Sequence, residues 1–369
     1  MLSSDNLKER IRRARALMEQ EGINALFLPP SSDCLYLTGY SKPASDRAAI
    51  FILTQSHAFF LLPLLEKQDF QDLGNTFSSL TEPIFWPDEA DPFSLLPALP
   101  GLELCKTAAA GGMLRASWLL RLMKVFPSFS WKDGSSFMSS LRSVKSPEEI
   151  ELIRRAQEMA ERALNRLIHS GLQGKTCRQL SKELMELRLE EGFDSAGPGL
   201  IACGAESAAP HPQLTDQRIV RGDCVMFDIG GTYQGYHADM TRTFAVGCAS
   251  EEVKEVYEIV LQAHRAAAKA ARAGLPASAM DEAARGMIRA AGYGKFFTHR
   301  LGHGIGLDIH EPPYASAGSH ELLAPGNVLS DEPGIYLPGK FGIRIEDLLV
   351  ITQEGSESLN KMEKELKIV

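Results

Sequence analysis

The sequence has few cysteines, and their arrangement excludes two common classes of protein. Six cysteines occur in 369 residues, and no two of them form a Cys-x-x-Cys pair. They are Cys34, Cys105, Cys177, Cys203, Cys224 and Cys248. A disulfide framework and a cysteine-based zinc cluster are therefore not expected, and the thiols are predicted to be reduced and mostly buried.

Long hydrophobic runs and an excess of positive charge are also missing. The most apolar stretch, residues 48–65, is interrupted by Gln55, His57 and Pro63, so it is too short and too polar to span a membrane. The charged N-terminus has no apolar signal core, and a cytoplasmic protein is expected. The net charge of -8 argues against nucleic acid as the main partner, because phosphate binding needs a concentrated positive surface.

What is present is the composition of a soluble globular protein, with 44% hydrophobic and 23% charged residues. The length predicts two or three domains. In residues 1–131, short apolar runs at 25–28, 35–37, 49–53 and 59–62 predict strands, and helical spacing lies before and after them. This first part is therefore predicted to be an α/β domain, and nothing in it has catalytic spacing.

A boundary is predicted next, at residues 132–145, because this segment is polar and contains Gly and Ser. A helix start follows at Ser146, where Pro147 suits the first helical position and Glu149 completes a capping box. Further helices and β-rich segments follow, so residues 146–369 are predicted to form a second domain of the α+β class.

The stretch from Val225 to Phe244 carries two aspartates in a predicted hairpin. Asp228 lies in an apolar run, Asp239 lies in the β-rich run that follows, and Gly230-Gly231 is interpreted as the turn between them. A carboxylate in a buried strand is costly unless it is paired or bound to a cation. The alternative is a turn aspartate and a surface aspartate without a shared function.

Three later segments place polar groups among apolar neighbours. His303 lies between two glycines, Glu332 precedes a Pro-Gly turn, and Arg344 and Glu346 are predicted to share one face of a strand. Each has an ordinary alternative when it is considered singly. These alternatives are a loop histidine, a turn acid and a surface ion pair.

Considered together, five of these residues suit a pair of divalent metal ions. They are Asp228, Asp239, His303, Glu332 and Glu346. Two divalent cations would neutralise the four carboxylates, and oxygen-rich ligands with one histidine favour Mn or Co, with Zn or Fe as alternatives. Two metals about 3.5–4 Å apart can lower the pKa of a bridging water to roughly 7 and polarise a carbonyl group, which suits hydrolysis of an amide bond.

Three more residues are candidates for catalysis. His211 and His310 could transfer protons or hydrogen-bond the tetrahedral intermediate, and the alternative for each is a loop position without a role. Arg344 could hold a substrate carboxylate or steady Glu346. His299 is interpreted mainly as a structural residue.

These segments resemble the pita-bread metallopeptidases, the family of methionine aminopeptidase, aminopeptidase P, prolidase and creatinase. The two aspartates match the family's Asp motif, and Gly302-His303-Gly304 with His310 matches its histidine motif. Glu332 matches the Glu-Pro-Gly motif and Glu346 the Arg-Ile-Glu-Asp motif. The resemblance covers essentially the whole chain and implies a pita-bread fold for the second domain.

The resemblance also implies an activity. The first domain, including Tyr36-Leu-Thr-Gly39, resembles the creatinase-type N-terminal domain, and His211 matches a histidine of the aminopeptidase P and prolidase branch. Members of this branch hydrolyse the Xaa-Pro bond of short peptides. The implied mechanism is attack by a metal-bridging hydroxide, with Glu332 also passing a proton to the leaving proline nitrogen. A homodimer is implied as well.

Two other functions compete with this interpretation. One is a metal-dependent hydrolase or lyase with the same fold that acts on a non-peptide small molecule, and the other is a binding module without catalysis. All five ligand residues of the family motifs are present in this chain, which argues against the second, since such modules typically lose ligands. The shared motifs do not distinguish a dipeptidase from an aminopeptidase.

Overall fold

The structure is a computed structural model that describes residues 4–42, 45–72 and 80–369. These residues form two compact units, which divide between Arg142 and Ser143. In the described ranges, no helix is both long and apolar enough to cross a membrane. All six cysteines are free, and five of them are buried.

Six strands in the described part of the first unit form one mixed sheet, in the order β4-β3-β2-β1-β5-β6. They are β1 (Ala25–Leu28), β2 (Ile50–Thr54), β3 (Ala58–Pro63), β4 (Glu82–Trp86), β5 (Thr107–Ala110) and β6 (Ser130–Asp133). The helices are α1 (Ser4–Glu21), α2 (Ser32–Thr38), α3 (Lys67–Asp72), α4 (Ala116–Val125) and α5 (Ser135–Ser143). Because β1, β2 and β3 are buried along their whole lengths, the sheet supplies the core of this unit. The predicted α/β class is confirmed.

The predicted strand at residues 35–37 is wrong, because local capping makes this segment part of helix α2. The Ser31 side chain accepts a hydrogen bond from the Cys34 N–H and caps the N-terminus of the helix. Gly39, at a φ of 76°, ends the helix in the left-handed conformation. A run of three apolar residues is too short for its spacing to distinguish a strand from a helix.

The predicted linker at residues 132–145 contains regular structure. Strand β6 ends at Asp133, and helix α5 covers most of the remaining residues. Phe137, Met138 and Leu141 of α5 are buried. The polar composition of this segment therefore belongs to an amphipathic helix, and the two units divide near its C-terminal end.

The second unit contains longer helices and shorter strands. Its helices are α6 (Pro147–His169), α7 (Cys177–Glu190), α8 (Glu251–Ala270) and α9 (Ser278–Ala290). Its strands are β7 (Leu200–Cys203), β8 (Cys224–Tyr233), β9 (Tyr236–Ala245), β10 (Gly302–Gly304), β11 (Glu311–Ala315), β12 (Val328–Asp331), β13 (Gly334–Leu337), β14 (Phe341–Arg344), β15 (Asp347–Ile351) and β16 (Ser356–Ser358). The predicted capping box at the start of α6 is confirmed, with Ser146 and Glu149 each bonding the other's backbone N–H.

The strands that the structure describes in this unit form three antiparallel sheets, in the orders β7-β8-β9, β11-β10-β12-β15-β16 and β13-β14. Each helix pair packs its apolar side against strands. Buried residues of α6 and α7 join β7, β8 and β9 in one core, and those of α8 and α9 join β11 to β15 in the other. The helices therefore cover one face of the strands, and polar groups collect on the opposite face.

The predicted hairpin exists, but its turn does not lie at Gly230-Gly231. Strand β8 continues through both glycines, and the turn consists of Gln234 and Gly235, at φ values of 49° and 83°. Two consecutive positive φ values are typical of the tight turn that suits the twist of a hairpin. A Cβ on Gly230 would lie 2.4 Å from the Ala238 carbonyl oxygen, so this glycine allows close packing within the strand pair.

Candidate metal centre and active-site cavity

One face of the β8–β9 hairpin carries the two predicted aspartates. Asp228 lies opposite Thr241 and Gly230 lies opposite Asp239, so the carboxylates and the Thr241 side chain project from the same face. Asp239 is buried, with 6% exposure. Gln157 of α6 holds its peptide unit, accepting from the Asp239 N–H (2.8 Å) and donating to the Asp239 carbonyl oxygen (2.9 Å).

Close backbone packing positions His303 in strand β10. A Cβ on Gly302 would lie 1.9 Å from the Ser330 carbonyl oxygen, and a Cβ on Gly304 would lie 2.5 Å from the Pro312 carbonyl oxygen. The His303 N–H donates to the Ser330 hydroxyl oxygen at 2.9 Å. Both glycines are therefore needed for the contacts that hold the histidine between its neighbouring strands.

The orientation of the His303 ring suits a metal ligand. Its Nδ1 lies 3.1 Å from the Gly304 carbonyl oxygen, so a proton on Nδ1 is accepted there and the lone pair is left on Nε2. Nε2 lies 3.6 Å from Asp239 Oδ2 and 3.4 Å from Glu332 Oε1. Burial, the largest cause, lowers the pKa of His303 to about 3. A cation bound between this neutral imidazole nitrogen and the two carboxylates would offset the repulsion among them.

Glu346 reaches the same place from between two strands. The predicted single strand through Arg344 and Glu346 is interrupted, since β14 ends at Arg344 and β15 begins at Asp347. The two strands pair with different partners, β13 and β12. The Glu346 N–H donates to the Thr241 carbonyl oxygen (3.1 Å), and its Oε2 accepts from the Thr241 hydroxyl (2.6 Å). Hairpin β8–β9 therefore holds both the backbone and the side-chain carboxylate of this glutamate.

The donor set fits divalent cations. Asp239, His303 and Glu346 each offer a ligand atom, and these atoms all lie within 4.8 Å of one another. Burial and neighbouring carboxylates raise the pKa values of Asp239 and Glu346 well above their ordinary range. Burial is also the main reason why the pKa of Glu332 rises to about 8, and the charge of Asp228 adds to it. Carboxylates crowded in this way are stable in their ionised form when cations neutralise them.

The guanidinium of Arg344 is hydrogen-bonded to neighbouring groups of the protein. Its guanidinium donates to Asp228 Oδ2 (2.5 Å), the Tyr336 hydroxyl (2.7 Å), the Pro210 carbonyl oxygen (3.1 Å) and the Thr241 hydroxyl oxygen (3.1 Å). The side chain is buried, with 2% of the residue exposed. Its closest carboxylate is therefore that of Asp228, and the contact with Thr241 links it only indirectly to the predicted partner Glu346.

His310 and His211 lie at the open part of the site. The centroid of the His310 ring is 4.1 Å from that of His303, and the two rings are tilted by 65°. Burial, as the largest cause, lowers the pKa of His310 below its ordinary value. Both His310 and His211 are exposed overall, although their side chains line the cavity. They are accessible to a substrate.

All eight predicted site residues line a single cavity of about 730 Å³ in the second unit. They are Asp228, Asp239, His303, Glu332, Glu346, His211, His310 and Arg344. A cavity of this volume is within the range for small-molecule sites. The structure therefore brings together residues that are separated by up to 135 positions in the sequence.

Several cavity residues have no role in the sequence-based prediction. His299 and His237 line the cavity, and His299 Nε2 lies 2.9 Å from the Tyr336 hydroxyl oxygen. Arg188 and Arg300 line it too. Alternation from Asp239 could have placed Thr241 on the same face, and Tyr336 directly follows the Glu-Pro-Gly-Ile segment. No spacing pattern indicates Arg188, which comes from a separate helix.

A buried layer of charges supports two of the glutamates. Asp331 and Asp347, the neighbours of Glu332 and Glu346, lie opposite each other on β12 and β15. His264 of α8 lies between them, with Nδ1 3.1 Å from Asp331 Oδ2 and Nε2 3.5 Å from Asp347 Oδ2. Arg242 donates to Asp347 Oδ1 at 2.8 Å. These contacts tie helix α8 and strand β9 to the strands that carry the glutamates.

Comparison with known protein families divides the chain into two matched regions. Residues 151–353 match the model of metallopeptidase family M24, and residues 10–144 match the creatinase/prolidase N-terminal domain. The first match covers more than half of the chain.

Whole-length relatives have both dipeptidase and aminopeptidase names. The chain is 34% identical to the Xaa-Pro dipeptidase of Pyrococcus horikoshii over 98% of this chain and 99% of that protein. The prolidase structure from Thermococcus sibiricus is 33% identical with a TM-score of 0.91, over 98% of this chain and 99% of that one. The X-Pro aminopeptidase structure from Thermotoga maritima is 31% identical with a TM-score of 0.86, over 97% and 99%.

Proposed function

Since the chain belongs to metallopeptidase family M24 and carries a creatinase-type N-terminal domain, we propose that it hydrolyses the peptide bond before proline in short peptides. The observation that carries the proposal is the cluster of Asp239, His303 and Glu346 in a cavity that also contains Asp228 and Glu332. Relatives named Xaa-Pro dipeptidase and prolidase, similar over nearly the whole chain, support it.

We propose that Asp228, Asp239, His303, Glu332 and Glu346 hold two divalent metal ions. When bound, such ions would lower the pKa of water and polarise the scissile carbonyl group. Oxygen-rich ligands with a single imidazole favour Mn or Co, and Zn or Fe are the alternatives. The crowding of buried carboxylates described above supports the binding of cations that carry a high positive charge.

The remaining groups of the cavity would act directly on the peptide. Glu332 would pass a proton to the leaving proline nitrogen, and this role is supported by its position in the cavity lining, with Oε1 3.4 Å from His303 Nε2. His310 and His211 would donate hydrogen bonds to the oxygen on which negative charge develops. Arg344 has a positioning role, because its contact with Asp228 orients that carboxylate.

Two further properties are proposed from the resemblance and the sequence. The protein is proposed to form a homodimer, which size-exclusion chromatography with light scattering would test. A cytoplasmic location is proposed as well. Fractionation of cells that express the full chain would test it.

The primary experiment is a cleavage assay on purified protein that is loaded with Mn or Co. Ala-Pro, Ala-Pro-Ala and Ala-Ala-Ala are compared, with a chelator control. Cleavage before proline that is lost with the chelator is expected. Metal binding without cleavage of any of the three peptides would contradict the proposal and favour a non-peptide substrate, and absence of metal binding would favour a module without catalysis.

A matched pair of variants tests the metal ligands. Asp239→Asn is expected to abolish metal-dependent cleavage while the fold is retained, because a neutral amide is a weak ligand. Asp216→Asn, which makes the same change at an exposed residue outside the cavity, serves as the control. Circular dichroism and metal analysis accompany the assay, and full activity of metal-loaded Asp239→Asn would contradict the assignment.

A further inference from the structure

We propose that Lys145 and Glu311 form a buried ion pair that positions the loop carrying His310, and that the pair acts on turnover through this histidine. The inference rests on the proposed function, because His310 is one of the residues proposed to contact the peptide. The loop, residues 305–310, connects strands β10 and β11, and its last two residues line the active-site cavity. Lys145 and Glu311 lie outside the cavity lining, so both are positioning residues.

The two charges of the pair are close together and shielded from water. Lys145 Nζ lies 2.6 Å from Glu311 Oε1, and the two side chains are only 1% and 7% exposed. The ammonium group also donates to the Ser143 carbonyl oxygen at 3.2 Å. Taking an ion pair out of water is costly, and apolar residues of similar size often stabilise a fold as well or better. This cost favours a role in fixing geometry over a role in stability alone.

The backbone of Lys145 is anchored independently of this loop. Its N–H donates to the Gly326 carbonyl oxygen at 2.9 Å, and Val144 pairs with Asn327 in an isolated β-bridge. A Cβ on Gly326, which has a φ of 90°, would lie 2.9 Å from the Lys145 carbonyl oxygen, so the two backbone segments are in close contact. The lysine is therefore held on the segment that leads into strand β12.

Glu311 connects this anchor to the loop through its two carboxylate oxygens. Oε1 accepts from Lys145 Nζ, and Oε2 accepts a long hydrogen bond from the Asp308 N–H at 3.4 Å. The Asp308 carbonyl oxygen in turn accepts from the Gly306 N–H at 3.0 Å. A Cβ on Gly306 would lie 2.7 Å from Glu311 Oε1 and 3.1 Å from Lys145 Cε. The ion pair therefore packs directly against the backbone of the loop.

The position of His310 depends on this loop backbone. The first half of the loop is fixed from the other side, since the Ile305 N–H donates to the Val328 carbonyl oxygen and the His237 N–H donates to the Gly306 carbonyl oxygen. His310 itself is exposed and directly precedes Glu311, so its ring has little burial to hold it in place. A displacement of about 1 Å in a group that acts on the substrate can lower the rate roughly 100-fold.

The test replaces each charge by a neutral residue of similar length and measures kcat, KM and bound metal with Ala-Pro as the substrate. Lys145→Met and Glu311→Gln are each expected to lower kcat roughly 10- to 100-fold while KM and metal content stay near the wild-type values. The double variant is expected to recover part of the loss. It leaves no buried charge unpaired, and the new amide oxygen can still accept from the Asp308 N–H.

A His310→Ala background shows whether the pair acts through this histidine. In that background the double variant should lower kcat by less than about twofold further, because the group that the pair positions is already gone. Gly306→Ala is a milder change that keeps both charges but displaces the Glu311 carboxylate, and it is expected to lower kcat in the same way. If the single variants do not fold, the double variant and Gly306→Ala provide the same comparison.

An exposed ion pair provides the matched control. Lys340 Nζ also lies 2.6 Å from Glu252 Oε1, but these side chains are 56% and 43% exposed, and neither residue lines the cavity. Lys340→Met and Glu252→Gln make the same chemical changes as the test variants. Both are expected to keep the wild-type kcat.

Hydrogen–deuterium exchange of the metal-free protein gives a readout that does not depend on activity. Peptides that cover residues 305–310 should exchange roughly tenfold faster or more in Lys145→Met than in the wild type, because the loop loses a contact with a charged group. Peptides from the β8–β9 hairpin should exchange at the wild-type rate. Faster exchange throughout the second unit would indicate general destabilisation and would contradict the proposal.

Two kinetic results would also overturn the proposal. One is an unchanged kcat in the folded variants, and the other is an equal loss of kcat with and without His310. Unchanged exchange of the loop in Lys145→Met would overturn it as well. Failure of the proposed function would instead appear as no cleavage of Ala-Pro by the metal-loaded wild type, and the exchange experiment would then still decide whether the ion pair holds the loop.

Discussion

Replacing Thr241 by valine removes one hydroxyl group that links a proposed metal ligand to its surroundings. The hydroxyl donates to Glu346 Oε2 at 2.6 Å and accepts from Arg344 Nε at 3.1 Å. Thr241 is completely buried, so no water replaces the lost contacts without rearrangement. Valine has nearly the same shape as threonine, and the change therefore acts mainly through hydrogen bonding.

The expected magnitude follows from the charge of the acceptor. A hydrogen bond to a charged group contributes about 1.5–3 kcal/mol, and tenfold in a binding constant corresponds to roughly 1.4 kcal/mol. Thr241→Val is therefore expected to weaken metal binding about 10- to 100-fold, which is the usual range for residues that orient a ligand. Isothermal titration of the metal-free protein with Mn²⁺ measures this change directly.

Thr243→Val is the matched control for this experiment. Thr243 lies two residues further along β9 on the same face, and it is 1% exposed. Its hydroxyl contacts the backbone of Arg344, donating to the carbonyl oxygen (3.0 Å) and accepting from the N–H (3.2 Å). It should lower the free energy of unfolding while changing the metal dissociation constant less than about threefold. An unchanged dissociation constant in Thr241→Val, or equal weakening in both variants, would refute the reasoning.

Three further changes test other parts of the site. Burial alone would lower the pKa of His264, but its two carboxylate partners raise it to about 9 from 6.5, so its contribution to stability is full below pH 6.5 and is lost as the pH rises through 9. In the wild type, the free energy of unfolding should therefore fall by about 3 kcal/mol over this pH range, as measured by urea unfolding in the presence of a chelator. His264→Gln should lack this pH dependence, and an unchanged dependence in the variant would exclude the assigned contacts. Gly302→Ala should lower the free energy of unfolding by about 3 kcal/mol and weaken metal binding, because the new Cβ would lie 1.9 Å from a strand carbonyl oxygen. Gly318→Ala is the control and should change neither quantity, because a Cβ there has no neighbour within 4 Å. His310→Ala should lower kcat more than metal content, and equal loss of both in assays of turnover and bound metal would indicate a structural role instead.

Much of the candidate site could be predicted from the sequence because its signals are local. Carboxylates in apolar β segments, a histidine between glycines and an acid before Pro-Gly can each be identified from a few neighbouring residues. The start of helix α6 is similarly local, since a capping box involves only Ser146 and Glu149. The order of these motifs along the chain also carries the family resemblance.

Predictions that depended on choosing between two local conformations were less reliable. The strand expected at residues 35–37 is a helix, since the Ser31 cap and Gly39 define its ends. The hairpin turn lies at Gln234-Gly235, whereas Gly230 allows close packing within the strand pair and Gly231 allows close packing against Phe193. In both cases the same residue types are compatible with more than one backbone conformation.

The sequence by itself determined the family, the residue types of the proposed ligand set and the class of reaction that they support. Only the tertiary structure decided how each charge is used, because burial and distance to other charges depend on residues far apart in the chain. Arg344 donates to Asp228, whereas the guanidinium of Arg300 lies over the Tyr314 ring, although both are arginines beside recognisable motifs. His264 becomes a partner of two buried carboxylates only when helix α8 packs on strands β12 and β15.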